Sequence, residues 1–439
     1  MARSTPLQTS RKKVTAVIVE DLNAWLITAD PAAFPYEAVV GEYHRYGRHF
    51  VSDDVLDSIA AARDLFCEHV VEDPNTSLLR RFLQIALDKR DGRYDYASYT
   101  ALALLPMPSI DDAPDEASIA QARRDRLVVQ LIADTLRFEA EAADGRNEMS
   151  EQPMPDRRTL AKRTRLAMRV AMPALRRLGL SQDGTGTEPY NVVEVDPGGF
   201  ARQLCMSLRP ETTHQERMIL RLSVLPVYVL HDEYLFIRVL QLFETTFGLV
   251  ASQLLGTVQA LEGTDGAAAV SRLIVAEAAL RESAPLFSWL ATMDVEAFRT
   301  FRDFTHGASA IQSRNYKLLE SLCRRPDLER LDSAAFTSTP EVRDWVLAGN
   351  PTIDDAYESA CASGRFDQAG RREEIEQAMI SLAMTLRRWR QTHYRIAVRM
   401  LGERTGTGYT AGTPYLRNAR NIDIFRSVRL TAQDEREAV

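Results

Sequence analysis

Cysteine is scarce and scattered. Four occur in 439 residues, at 67, 205, 323 and 361, and no two stand at CxxC spacing. A zinc ribbon or a disulfide framework is thereby excluded, and the thiols read as reduced core residues. Lysine is scarcer relative to need: of 54 basic residues only those at 12, 13, 89, 162 and 317 are lysine. No excess of positive charge exists either, since the formal net charge is −7. The balance gives no sign of a generally basic, nucleic-acid-binding surface, so no nucleic-acid partner is expected. The chain also lacks an unbroken run of about 18 apolar residues. Behind Met1 the polar stretch ARSTPLQTSRKK leads into no apolar segment, so a cytoplasmic protein with no membrane partner is expected. His44, His49, His69 and His214 share no metal-ligand spacing and read as structural.

What is present is 45% hydrophobic and 26% charged residues in helical patterns, enough for one large or two smaller globular units. The expected fold class is all-α, a helical bundle. Helices are expected through SDDVLDSIAAARDLFCEHV, NTSLLRRFLQIALDKR, SIAQARRDRLVVQLIADTLRFEAEAA and DRRTLAKRTRLAMRVAMPALRRLGL. The expected organisation is an N-terminal helical region over 1–180, an irregular linker over 181–226 rich in Gly, Pro, Thr and Asp, and a core over 227–439. In that core the segment DEYLFIRVLQLFETTFGLVASQLLGTVQALE repeats Phe236, Leu240, Phe243, Phe247, Val250 and Leu254 at alternating spacings of four and three. Its neighbouring face is apolar too, so this helix belongs at the centre of the bundle.

A second helix, from Arg372 to Leu401, carries Ile375, Met379, Leu382, Leu386, Trp389, Ile396 and Met400 at the same alternation, and His393 fills its one gap. The imidazole therefore faces inward with the apolar stripe. Such a residue is either a core histidine satisfied by neighbours or a ligand of the kind haem iron takes, and spacing alone leaves both open. The loop GERTGTGYTAGT that follows contains G-x-G-x-x-A, but a helix and not a strand precedes it, which rejects a dinucleotide site.

Three segments in order, HDEYLFIRVLQLFE (231–244), FRTFRDFTHGASAIQSRNYKLLE (298–320) and WRQTHYRIAVRMLGERTGTGYTAGTPYL (389–416), resemble the tryptophan 2,3-dioxygenase superfamily of haem proteins. A shorter match, DYASYTALALL, resembles that family's Y-x-x-YL segment. The resemblance implies a helical bundle around a haem b pocket, O2 as co-substrate, a small aromatic substrate and a homo-oligomer, dimer or tetramer. It makes His393 the axial iron ligand, with Trp389 and Arg390 beside the cofactor. It makes Phe236 a wall of the indole pocket, Thr407 an anchor for the substrate ammonium, and Tyr96 and Tyr99 the pocket tyrosines. The extra helices between the tyrosines and HDEYLF, and the first 75 or so residues, lie outside it.

Departures fall on the substrate side. Leu240 stands where the family has its distal histidine, and leucine neither accepts a hydrogen bond nor acts as a base. Lys317 stands in place of the arginine that clamps the substrate carboxylate, giving a point charge for a two-pronged fork. Ala310 and Ile311 replace glycine and phenylalanine, and Tyr409 adds bulk to the GTG loop. The implied function is oxygen insertion into the indole ring of tryptophan or a derived metabolite, in specialised metabolism, with no residue assigned as acid or base. Hydroxylation of another aromatic amino acid and non-catalytic haem or gas binding remain the alternatives.

Overall fold

A computed structural model describes residues 6–67, 73–112, 117–145, 154–180, 197–208, 212–366, 370–402, 406, 412–428 and 430. The fold is all-α, with no strand among the described residues. The helix His231–Glu262 runs through the middle, packed against the helices Ala117–Ala143, Gly266–Ser283, Arg314–Cys323 and Ile353–Ala362. It is long and apolar enough to cross a membrane, but 83% of its most apolar window is buried inside the molecule. The helix Arg371–Leu401 lies along Gly266–Ser283 and ends at Gly402, whose φ of +63° needs a residue without a Cβ.

Burial divides the chain differently from composition. Residues up to about 104, joined by Leu222 and Leu225, form an apolar cluster built on Leu22, Val39, Tyr43, Ile59, Phe82 and Leu83. Two of its helices, Pro6–Thr28 and Tyr36–Tyr46, have no counterpart among those expected from the pattern. Helices Ala117–Ala143 and Arg157–Arg177, by contrast, share one continuous core with the C-terminal half. The span 181–226, expected to be irregular, contains helices Pro197–Leu208 and His214–Leu222. The second is announced by T-H-Q-E: Thr213 accepts from the Glu216 amide while the Glu216 carboxylate accepts from the Thr213 amide.

The HDE sequence at the start of the central helix is consumed by structure. His231 meets Glu139 at 3.1 Å. Asp232 accepts from Arg163 at 2.6 Å and from the Asp294 amide at 2.7 Å. Glu233 accepts from the Val227 and Tyr228 amides and from the Tyr99 hydroxyl. Arg163 also donates to Glu139, so the inserted helices are fastened to the central helix by a buried network with matched charges.

Candidate functional site

Three helices and one turn bring most of the sequence-selected residues to a single cavity of about 270 Å³. The central helix contributes Phe236, Leu240, Phe243, Glu244 and Phe247 to its wall, and Arg371–Leu401 contributes Trp389, Arg390 and His393. These residues face one another because each helix repeats its apolar stripe at the i, i+3/i+4 period. The turn Ala310–Gln312 and the helix after it supply Ile311, Ser313 and Lys317. Gln312 fixes that turn: its side-chain oxygen accepts from the Ser309 amide at 3.0 Å and the Tyr96 amide at 3.1 Å.

At the aromatic end His393 packs on Phe287 at 6.0 Å and Trp389 at 5.2 Å between ring centroids. Neither imidazole nitrogen has a hydrogen-bond partner among the described residues. Burial lowers its pKa to about 4, so the ring is neutral with a free lone pair. The Trp389 indole N–H is likewise buried with no partner among the described residues. This is not the satisfied core histidine that the sequence left open.

At the cationic end Lys317 is 3% exposed, with Nζ 3.8 Å from Glu320 and 5.5 Å and 5.7 Å from the Phe336 and Tyr316 ring centres. Burial lowers its pKa to about 8, which leaves it charged at neutral pH. Arg330 places one nitrogen 2.6 Å and 2.7 Å from the two Glu320 oxygens. Arg390 reaches Glu320 at 3.1 Å, the Tyr316 hydroxyl at 2.9 Å and the Ile422 carbonyl at 2.7 Å. Three cations thus share one carboxylate, an excess that suits an anionic ligand. Arg330 was not found from sequence, because its helix Leu328–Leu331 is too short to show a period.

The two tyrosines part company. Tyr96 lines the cavity and donates to Glu244 Oε1 at 3.0 Å. Tyr99 lies in a separate cluster with Val224, Val227 and Ile237 and donates to Glu233 at 3.2 Å. Thr407 and Tyr409 lie outside the described residues. Gly406, Gly412, Tyr415 and Leu416 on either side of them form part of the cavity rim.

A larger recess of about 790 Å³ opens beside helix Ala117–Ala143. Several of its charged groups are already paired, Arg137 with Glu141, Arg221 with Glu37 and Arg126 with Glu216 nearby, so it offers less to a ligand than the His393 cavity.

No family model matches the chain. Among curated proteins it is similar to tryptophan 2,3-dioxygenase of Anaeromyxobacter sp. (strain K), 26% identical over 223 residues, covering 44% of this chain and 84% of that protein. The same-named protein of Burkholderia ambifaria is 25% identical over 229 residues, covering 44% and 74%. That of Polaromonas naphthalenivorans is 25% identical over 237 residues, covering 46% and 83%. The similarity spans most of each relative and less than half of this chain. The chain is a distant relation of the tryptophan 2,3-dioxygenase superfamily.

Proposed function

We propose that this protein is a haem-dependent oxygenase that inserts oxygen from O2 into the indole ring of L-tryptophan or a tryptophan-derived metabolite. The observation that carries the reading is His393: a neutral imidazole without a hydrogen-bond partner among the described residues, set in an aromatic wall opposite the ligand-facing side of the central helix. That donor chemistry fits haem, which takes one neutral nitrogen from the protein and otherwise wants apolar, aromatic surroundings. His393 would hold the iron, Trp389 and Phe287 would flank the macrocycle, and Arg390 would stiffen the wall through its bonds to Tyr316, Glu320 and Ile422. Bound there, haem supplies an iron that takes up dioxygen, chemistry that no side chain offers.

The chain's own residues then do the holding. Phe236, set edge-on against Phe298, and Ile311 form an apolar slot suited to a flat ring and exclude water from it. Lys317 and Arg330 offer positive charge to a carboxylate or other anion on the ring's substituent. Leu240 presents only methyl groups, so no acid–base step passes through it.

The test is the visible absorption spectrum of protein expressed with haem supplied, as wild type and His393→Ala. A stoichiometric Soret band that the substitution abolishes or shifts is expected, together with faster O2 uptake when indoles are added to the ferrous wild type. A wild type without haem, or a spectrum indifferent to the substitution, would overturn the reading.

A further inference from the structure

Glu244 is an anomaly on the central helix. It is 1% exposed, among phenylalanines and leucines, yet no cation among the described residues pairs with it. Carboxylates buried without a counter-charge are costly and persist where something uses them. Its Oε1 accepts from the Tyr96 hydroxyl at 3.0 Å. Its Oε2 has no hydrogen-bond partner of good geometry among the described residues. The Ser313 and Asn315 side chains stand beside the carboxyl and favour its charged form. Ser313 accepts from the Tyr316 amide at 3.2 Å, which leaves its own O–H for the carboxyl, and Asn315 donates to the Glu244 carbonyl at 3.3 Å.

Glu244 lines the cavity, four residues and hence about one helical turn beyond Leu240 on the same helix face. Leu240 can receive no hydrogen bond, Lys317, Arg330 and Arg390 can only donate, and beside hydroxyls such as those of Ser313 and Tyr316 Glu244 is the one carboxylate among the described residues that line the cavity. We propose that Glu244 Oε2 accepts the ring N–H of the bound aromatic ligand, with Tyr96 fixing the carboxyl through Oε1. The polar anchor for the ring has moved one turn along the helix, and ligands lacking a ring donor are selected against at that point. Tyr96 is a positioning residue and Glu244 the specificity-determining one. The inference rests on the reading that the cavity takes an indole-bearing ligand.

The test is calorimetric titration of the full-length, haem-loaded protein with L-tryptophan and with 3-benzothienyl-L-alanine, in which sulfur replaces the ring N–H with little change of shape. Wild type is expected to prefer L-tryptophan by roughly ten- to a hundredfold, the range of leaving a buried acceptor unpaired. Glu244→Gln, which keeps an acceptor oxygen of the same shape, is expected to retain part of that preference, and Glu244→Leu to reduce it to within about threefold. Unchanged Soret bands and circular dichroism establish that the variants are folded and loaded. A wild type without the preference, or a preference that survives in Glu244→Leu, would overturn the inference alone. A wild type that holds haem and binds neither compound would overturn the indole reading and the inference with it.

Discussion

Lys317 is held less by its partner than by its surroundings. At 3.8 Å from Glu320 it is in a loose ion pair, while Arg330 and Arg390 already satisfy that carboxylate more closely. Replacing it by methionine therefore orphans no charge, and stability is expected to change by less than about 1 kcal/mol. Binding is another matter. Lys317→Met is expected to weaken L-tryptophan binding by roughly ten- to a hundredfold, the loss of one charge-assisted bond, while leaving tryptamine, which has no carboxylate, little affected. Equal loss for both compounds would remove Lys317 as the carboxylate anchor. At this scale the sequence was informative where a residue broke a pattern. His393 filled the gap in an apolar stripe, and Lys317 was one of five lysines in an arginine-rich chain. Glu244 escaped notice because a carboxylate inside a helix reads as a solvated position, and the surrounding burial that makes it unusual is a property of the packed molecule.

Among elements, the attachment of the inserted helices to the central one is set by Glu139, Arg163, His231 and Asp232. Burial alone would raise the Glu139 pKa, but Arg163 and His231 outweigh it and bring it to about 2, below its ordinary 4.5. A depressed carboxylate stabilises the fold above its unfolded pKa, and that contribution fades as pH falls from 4.5 toward 2. The stability difference between wild type and Glu139→Gln, read from urea unfolding, is accordingly expected to be roughly 3 kcal/mol at pH 7. It should shrink steadily below pH 4.5, and a difference constant down to pH 3 would show that the network's charge contributes nothing. Further along the central helix, a Cβ at Gly248 would collide with the Pro108 carbonyl oxygen and lie 3.5 Å from Asn315 Nδ2. Gly248→Ala is expected to cost about 1–3 kcal/mol, seen as a lower urea midpoint, because the strand of backbone at 108 cannot yield as a flexible side chain would. Helix periods disclosed both long helices. They could not disclose partners, since an amphipathic stripe shows which face is apolar and not what covers it.

For the molecule as a whole, the question is whether the N-terminal cluster is an independent unit. Composition placed the break near 181–226, whereas the apolar clusters part near residue 104 and the helices at 117–177 join the C-terminal core. The two clusters nonetheless meet through buried polar bonds. The Arg48 amide donates to the Pro226 carbonyl at 2.7 Å, His44 Nε2 lies 2.8 Å from the Val224 carbonyl, and Gln241 donates to the Thr100 carbonyl at 2.9 Å. Tyr96 and Tyr99 give their hydroxyls to Glu244 and Glu233 on the central helix. Burial raises the pKa of these two carboxyls to about 7 and about 8, against hydrogen bonds that favour their charged forms. Unfolding the chain up to about residue 104 alone would take both tyrosines from the packed central helix, leaving Glu233 with its two backbone amides but Glu244 without its Tyr96 bond, at a cost of about 1–3 kcal/mol for the group left unpaired. The two parts are therefore expected to unfold together. Trp25 lies in the N-terminal cluster, stacked on Phe66, and Trp289 and Trp389 lie in or against the main core. Fluorescence of wild type minus Trp25→Phe isolates the first, and its urea midpoint should coincide with that of the variant's remaining tryptophans. An earlier transition for Trp25 would make the N-terminal helices a separately folding unit. It would also mean that Tyr96, and with it one wall of the cavity, could be withdrawn while the His393 helix stays intact.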